Sequence, residues 1–199
     1  MPKATFHNLS EEKKTLLITA LRKEFSRAPL YEASISNIIK DANIPRGSFY
    51  QYFVDKEDAY FYLLGNLSIQ THEKFLSMLE KNKGSLFDTL PEFFQCIVQD
   101  DENFYFFKNT ILNMNHKIEK SLSEVFTHDG DKKQFLFMSQ FIKTDELPIQ
   151  TDEELYHFMK IIAAITFHNF IETFSKNLSP ENALHNYITQ INILKRNVV

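Results

Sequence analysis

The sequence is poor in residues that cross-link or interrupt a chain. It has 1 cysteine, 4 glycines, 6 prolines and no tryptophan among 199 residues. The single cysteine, Cys96, excludes an internal disulfide and a cysteine-based zinc site. So few glycines and prolines cannot supply the many tight turns of an all-β fold. The composition therefore predicts helices, and the 20 phenylalanines predict an unusually aromatic interior.

Long apolar runs are also missing. The sequence has no run of about 18 apolar residues, the length that could cross a bilayer. It also does not open with a charged segment followed by an apolar core. We therefore expect a cytoplasmic protein without a membrane partner.

Motifs of enzymes and metal proteins are absent as well. The sequence contains no glycine-rich phosphate loop, no H-E-x-x-H and no G-x-S-x-G. Cys96 lies in the apolar run "FFQCIVQ", which favours inert packing over a reactive thiolate. The run "DDE" at 100–102 is typical of a helix cap and turn, and "HDGD" at 128–131 has too few oxygen ligands for calcium. We expect no enzymatic activity, no catalytic residue, no metal and no cofactor.

Charge is distributed unevenly along the chain. Residues 1–56 hold 9 lysines and arginines against 6 acids, whereas residues 57–199 hold 13 against 20. A basic first part followed by an acidic remainder is compatible with contact to a nucleic acid.

Helical patterns of apolar residues cover most of the chain. Ser10 is predicted to cap a helix that Pro29 stops, and the Ser34 hydroxyl to cap a second, short helix. Asp55 should cap a long helix that ends near Lys81. Further helices are predicted near 86–99, 103–117, 118–127 and 132–142, from Thr151 or Asp152 to about Asn177, and from Pro180, after the cap Ser179, to about Asn197.

The stretch "DANIP" joins two short helices at the spacing of a helix-turn-helix. Asn43 stands where a helix often ends in a left-handed residue, and Pro45 is preset for the first position of the next helix. In that next helix Phe49 and Phe53 are four residues apart and should turn inward. Its polar side chains should then face the major groove of DNA.

The outward side chains of this helix have the chemistry that DNA contact requires. Arg46 can bind a guanine edge or a phosphate, and Gly47 removes a side chain where the helix approaches the duplex. The other outward donors are Ser48, Tyr50, Gln51 and Tyr52, and Lys56 follows within reach of a flanking phosphate. The alternative is that the tyrosines are packing residues and Arg46 a solvated charge. That alternative leaves unexplained a glycine at a helix start, which costs roughly 1 kcal/mol.

The segment "ASISNIIKDANIPRGSFYQYFVDKEDAYFYLL" resembles the DNA-binding segment of TetR/AcrR-type transcriptional regulators. The close match covers roughly residues 10–65, and its core is "GSFYQYF" followed by "DKED". The departure is Pro45, where many members have a serine or threonine cap, so no phosphate contact is expected from that position. The resemblance implies DNA contacts from the side chains of Ser34, Ser36, Arg46, Ser48, Tyr50, Tyr52 and Lys56.

The resemblance also implies an all-α protein with about nine or ten helices in two domains. Residues 1–56 would form a three-helix helix-turn-helix domain that binds double-stranded DNA. Residues 57–199 would form a helical domain for ligand binding and dimerisation.

The last two helices are the predicted dimer interface. The final helix has one apolar stripe, and the helix before it is apolar nearly all round between Phe158 and Ile171. Such a helix needs partners on both faces, unless both helices are simply the core of a monomer. The predicted interface residues are Ile161, Ala164, Leu184, Tyr187, Ile188, Ile191 and Leu194.

Phenylalanines from several helices could line a cavity for an apolar or aromatic molecule or a fatty-acyl chain. The alternative is a close-packed aromatic core with ordinary surface amides. The predicted ligand-binding residues are Phe104, Phe107, Asn113, Phe137, Phe141, Phe167, His168 and Phe170.

These observations predict a ligand-responsive regulator, a repressor, that binds a palindromic operator as a homodimer and is released by a small hydrophobic or aromatic effector. The alternative is a helix-turn-helix protein that binds DNA without a small-molecule effector.

Overall fold

The computed structural model describes residues 2–99, 103–126, 138–145 and 147–196. These residues form ten α-helices and no strand, so the predicted all-α class is confirmed. The helices are α1 (Ala4–His7), α2 (Glu11–Arg27), α3 (Ile35–Asp41), α4 (Arg46–Tyr52), α5 (Lys56–Lys81), α6 (Leu86–Val98), α7 (Phe104–Leu112), α8 (His116–Phe126), α9 (Asp152–Lys176) and α10 (Pro180–Arg196).

The predicted caps begin several of these helices. The Ser10 hydroxyl accepts a hydrogen bond from the Lys13 amide, and the Asp55 carboxylate accepts one from the Asp58 amide at 2.8 Å. Thr151 caps α9 in the same way through the Glu154 amide. Each of these bonds satisfies an amide that has no partner within its helix, which is why the local sequence predicts the helix start.

Two elements differ from the sequence-based expectation, and a third lies partly outside the described residues. Helix α1 was not predicted at all. The helix expected over 103–117 ends at Leu112, and a new helix begins at His116. Of the helix expected near 132–142, residues 132–137 lie outside the described part of the chain.

The chain divides into two compact units. The first comprises Met1–Ser68 and Asp101–Asn115, and the second comprises Ile69–Asp100 and His116–Val199. The first unit therefore extends beyond the predicted boundary at residue 56 and includes α7. Helix α5 begins in the first unit and ends in the second.

Aromatic stacking forms the centre of the second unit. The ring of Phe94 on α6 lies 4.9 Å from that of Phe170 on α9 and 4.3 Å from that of Tyr187 on α10, with both pairs nearly parallel. The Tyr187 hydroxyl lies 2.7 Å from that of Thr166, which supplies the partner that a buried phenol requires. These residues join three helices of the unit.

Within the described ranges, no helix is both long enough and apolar enough to span a bilayer.

Candidate nucleic-acid interface and ligand cavity

Helices α3 and α4 are joined by the tight turn that the sequence predicted. Asn43 has φ of 52°, in the left-handed region, as predicted. The Ile44 amide donates to the Ile39 carbonyl at 3.0 Å, which closes the end of α3. Helix α4 begins at Arg46, so Pro45 is the residue before the helix and not its first residue.

A buried carboxylate, not the Ser34 hydroxyl, organises the start of α3. Ser34 makes no side-chain cap. Instead the Glu24 carboxylate, which is only 3% exposed, accepts hydrogen bonds from the Ser34 amide at 2.6 Å and the Asn37 side-chain amide at 3.0 Å. The hydroxyl cap expected at Ser34 is therefore wrong: the Asn37 backbone amide, which such a cap would bind, donates to the Ser34 carbonyl at 3.2 Å.

Arg27 completes this carboxylate site. Its guanidinium donates two hydrogen bonds to the two oxygens of Glu24, at 2.9 and 2.6 Å. The bonds from Arg27, together with those from Ser34 and Asn37, lower the pKa of Glu24 from 4.5 to about 2 against the opposing effect of burial. A charge thus fixes α3 to α2.

Helix α4 has one buried face and one exposed face. Phe49 and Phe53 are completely buried, as the sequence predicted. Arg46, Gly47, Tyr50 and Gln51 are exposed, and Ser48 and Tyr52 are half-buried. A Cβ atom on Gly47 would have no protein atom within 4 Å, so packing within the protein does not require glycine there.

The other predicted DNA-binding residues flank this surface. Ser36 is exposed and Ser34 is half-buried. The ammonium of Lys56 donates to the carbonyls of Tyr31 and Ala33 at 3.0 and 2.8 Å. Lys56 therefore holds the loop between α2 and α3, a role that its position in the sequence did not predict.

An asparagine on α7 binds the end of α2, a contact that the local sequence did not predict. The Asn109 side-chain amide donates to the Phe25 and Ser26 carbonyls at 3.1 and 2.8 Å. These carbonyls are in the last turn of α2, where main-chain acceptors lack partners within the helix. The only sequence signal was an asparagine within an apolar helix.

The predicted ligand-binding residues are divided between the two units. Phe104, Phe107 and Asn113 belong to the first unit. Phe170 is 1% exposed within the aromatic stack, and Phe141 is 43% exposed. Of the others, Phe167 is half-buried, His168 is exposed, and Phe137 lies outside the described residues.

The second unit instead contains a small cavity with other lining residues. Its volume is about 50 Å³. Helix α5 contributes Thr71, His72 and Phe75, and Leu90, Phe93, Met138, Met159, Ile162, Ala163 and Thr166 complete the lining. Burial lowers the pKa of His72, with an opposing effect of Glu73, so the cavity presents a largely apolar surface with an uncharged imidazole and two hydroxyls.

The predicted dimer residues differ in exposure. Tyr187 and Ile191 are buried within their own unit, at 0% and 2% exposure. Leu184, Ile188 and Leu194 are half-buried. Ile161, 51% exposed, and Ala164 leave part of α9 uncovered.

Metal-binding groups are not concentrated in the described ranges, which hold no group of three histidines, cysteines or acidic residues placed to share an ion.

A tight turn between two short helices, with a polar outward face on the second, defines a helix-turn-helix DNA-binding protein. Residues 17–61 match the family described as "Bacterial regulatory proteins, tetR family", and residues 85–198 match "Tetracyclin repressor-like, C-terminal domain". The chain belongs to the TetR family of transcriptional regulators, so the resemblance seen in the sequence is confirmed.

Known proteins resemble the chain over different lengths. The HTH-type transcriptional regulator HbdR of Aromatoleum sp. (strain CIB) is 38% identical over 66 residues, which are 33% of this chain and only 28% of that protein. A TetR family regulator from Chloroflexus aurantiacus J-10-FL is similar in structure at 22% identity and a TM-score of 0.52, covering 99% of this chain and 98% of its own.

The Bacillus subtilis regulator FadR, solved in complex with stearoyl-CoA, also resembles the chain. It is 14% identical with a TM-score of 0.61, covering 89% of this chain and 96% of its own. At these identities the two solved structures show a shared fold.

Proposed function

We propose that the protein is a ligand-responsive repressor that binds a palindromic operator as a homodimer and is released by a small apolar or aromatic effector. The observation that supports it best is the division of α4: Phe49 in the helix and Phe53 directly after it are completely buried, while Arg46, Gly47, Tyr50 and Gln51 are exposed. A helix anchored on one face can present the other to the major groove. The protein would act in the cytoplasm, without enzymatic activity.

In this proposal the exposed face of α4 makes the DNA contacts. Arg46 and Gln51 bind base edges or phosphates, Ser36, Ser48 and Tyr50 add donors, and Gly47 allows close approach. Ser34 and Tyr52 lie at the margin of the surface. Two of the three ammonium protons of Lys56 are bound to carbonyls, which leaves one for a phosphate.

The homodimer would form through the uncovered part of α9. Ile161 is 51% exposed and Ala164, three residues on, is also exposed. A small residue beside a large apolar one lets a second helix approach closely. A two-fold dimer presents two identical α4 surfaces, which matches the two identical half-sites of a palindromic operator.

The effector would occupy the cavity beside His72 and be compact and uncharged. A cavity of about 150 Å³ holds one benzene ring, whereas this one measures about 50 Å³. Met138 and Met159 line it, and unbranched methionine side chains can move to enlarge it. A long acyl-CoA, as in FadR, would need a much larger rearrangement than a single aromatic ring.

Helix α5 would couple the effector to DNA binding. Its second half supplies Thr71, His72 and Phe75 to the cavity. Its first half carries Lys56, and Tyr60, whose buried hydroxyl lies 2.8 Å from that of Thr110. An effector that binds one position of α5 more tightly than another favours that position of the helix, and so changes how α4 is presented to DNA. An effector with equal affinity for both positions of α5 would not change DNA binding.

The small cavity volume favours a second candidate. A helix-turn-helix regulator with a close-packed second unit would bind DNA and respond to no small molecule. The two candidates share every statement about α3 and α4 and differ only in the cavity.

The DNA contacts are tested by selecting an operator from random DNA with the full chain. Tyr50→Ala is expected to weaken operator binding by roughly 1–3 kcal/mol. Tyr105→Ala is the matched control, because Tyr105 is also exposed and also lies in the first unit. Equal affinities for the two variants would contradict the assignment of α4 as the reading helix.

The effector is tested by native mass spectrometry of freshly purified protein, followed by DNA release with any molecule found. Ala163→Leu is expected to fill the cavity and abolish release while leaving operator affinity unchanged. No bound molecule, and no release by a panel of small aromatics, would favour the second candidate.

A further inference from the structure

We propose that residues 2–7, here called the N-terminal clasp, position the recognition helix α4 for sequence-specific DNA binding. This inference rests on the proposed function, and it assigns a role to a segment outside the helix-turn-helix itself. Its basis is the complete set of hydrogen bonds at the end of α4.

The last four carbonyls of a helix have no partner within the helix. In α4 the first of them, on Phe49, accepts the Phe53 amide at 2.9 Å. The clasp satisfies the other three. Lys3 donates its ammonium to the Tyr50 carbonyl at 2.8 Å and its backbone amide to the Tyr52 carbonyl at 2.8 Å, and the Thr5 hydroxyl donates to the Gln51 carbonyl.

A buried ring anchors the clasp to the first unit. Phe6, in the four-residue helix α1, is completely buried. Its ring centroid lies 5.2 Å from that of Phe53, directly after α4, and 4.9 Å from that of Tyr62 on α5. The donors of Lys3 and Thr5 are therefore held at fixed positions relative to α4.

Helix α4 needs such external support. It has 7 residues, too few to be stable alone in water, and the residue before it, Pro45, offers no side-chain cap. Without the clasp its last turn would fray, and that turn carries Tyr50 and Gln51. Base contacts require these side chains in one geometry, whereas general attraction to phosphates does not.

The alternative is that Lys3 itself binds a phosphate and the clasp has no positioning role. The positioning role and the phosphate contact differ in whether they depend on the charge of Lys3. Thr5→Val is nearly isosteric and removes the bond to Gln51 without changing charge, while Lys3→Met removes a charge and the bond to Tyr50. Thr15→Val, at an exposed threonine on α2, is the matched control.

The first measurement is hydrogen exchange in the free, full-length protein. Thr5→Val is expected to speed exchange of the amides of residues 51–53, and Thr15→Val to leave them unchanged. Unchanged exchange in Thr5→Val would overturn the proposal. This result does not depend on DNA, so it remains decisive even if no operator can be selected and the proposed function fails.

The second measurement compares the selected operator with random-sequence DNA over a range of salt concentrations. Thr5→Val is expected to weaken operator binding roughly 3- to 10-fold, the scale of one lost hydrogen bond, with random DNA bound as before. Lys3→Met should weaken the operator more than random DNA. If Lys3→Met instead weakens both equally and lowers the salt slope by about one, with Thr5→Val unchanged, Lys3 is a phosphate contact and the proposal is overturned.

Discussion

A buried, hydrogen-bonded carboxylate links two helices of the first unit, whereas a stack of aromatic rings links three helices of the second. In the first, Glu24 is 3% exposed and accepts bonds from Arg27, Ser34 and Asn37. In the second, Phe94 lies between Phe170 and Tyr187. Hydrogen bonds to a carboxylate fix the orientation of the groups that donate them, whereas the hydrophobic effect is non-directional.

This difference fits the two tasks that the proposed function assigns to the units. A surface that reads DNA must hold its side chains in one geometry. In the first unit, hydrogen bonds from the Asn109 side chain and from the N-terminal clasp also hold the helices in place. An apolar interior containing two methionines can repack around a guest. The comparison can be tested by disturbing each unit separately.

The largest expected effect is the loss of the stack. Phe94→Ala should lower the free energy of unfolding of the second unit by about 3–5 kcal/mol, because a completely buried ring is removed. Phe141→Ala, at a phenylalanine 43% exposed in the same unit, is the control and should cost under about 1 kcal/mol. Urea unfolding measures both. Similar losses for the two variants would argue against the stack as the centre of the unit.

The next effect concerns the uncovered face of α9. Ile161→Asp should raise the dissociation constant of the dimer by about 100-fold or more, since it places a charge within the proposed interface. Folding of the single chain should be unaffected, because Ile161 is 51% exposed there. Sedimentation over a range of concentrations measures the dimer.

Ile69→Asp, on α5, is the matched control at 60% exposure. An intact dimer in Ile161→Asp would place the interface elsewhere. A charge at Ile191 would be a poor test, because its burial at 2% exposure within the unit makes unfolding the expected result.

The third effect is the pH dependence of the first unit. The pKa of Glu24 is lowered from 4.5 to about 2, so the folded state favours the ionised form. The resulting stability is complete above about pH 5 and is lost as the pH falls toward about 2. Allowing for the solvent exposure of Arg27, it amounts to about 2 kcal/mol.

Glu24→Gln should therefore be less stable than wild type at pH 7 and should approach it near pH 3. Glu32→Gln, at an exposed position, is the control and should follow wild type throughout. Urea unfolding at both pH values measures the difference. A constant gap between Glu24→Gln and wild type would show that ionisation of Glu24 does not stabilise the fold.

The smallest effect on stability separates folding from binding. Gly47→Ala should stabilise the free protein by up to about 1 kcal/mol, because alanine favours a helix and meets no protein atom there. It should weaken operator binding, since the added methyl group lies on the proposed DNA surface. Gly65→Ala, also without neighbours at its Cβ atom, should stabilise equally and leave DNA binding unchanged. Tighter or equal binding by Gly47→Ala would remove Gly47 from the interface.

Local patterns were sufficient to predict most helices and the turn. Ser10, Asp55 and Thr151 cap helices within four residues of themselves, and Asn43 adopts its left-handed conformation for local reasons. The burial of Phe49 and Phe53 follows from their spacing. These features need no knowledge of the distant chain.

The features that were missed depend on partners far away in sequence. Asn109 reaches back 84 residues to the carbonyl of Phe25, and Lys3 reaches 47 residues to that of Tyr50. Helix α1 has only four residues and no side-chain cap, so its stability comes from the burial of Phe6. The cavity joins His72 to Thr166, and spacing along the chain could not predict that pair.

Helix α7 makes the first unit discontinuous in sequence. Phe106 on α7 lies 5.5 Å, ring to ring, from Tyr60, and Asn109 closes the end of α2, although residues 69–100 of the other unit intervene. A chimera that joins the N-terminal part of the first unit to the rest of a relative's chain at a single crossover would pair α2 with the relative's α7. A chimera that keeps the whole first unit needs three crossovers: one after residue 68, one before residue 101 and one after residue 115.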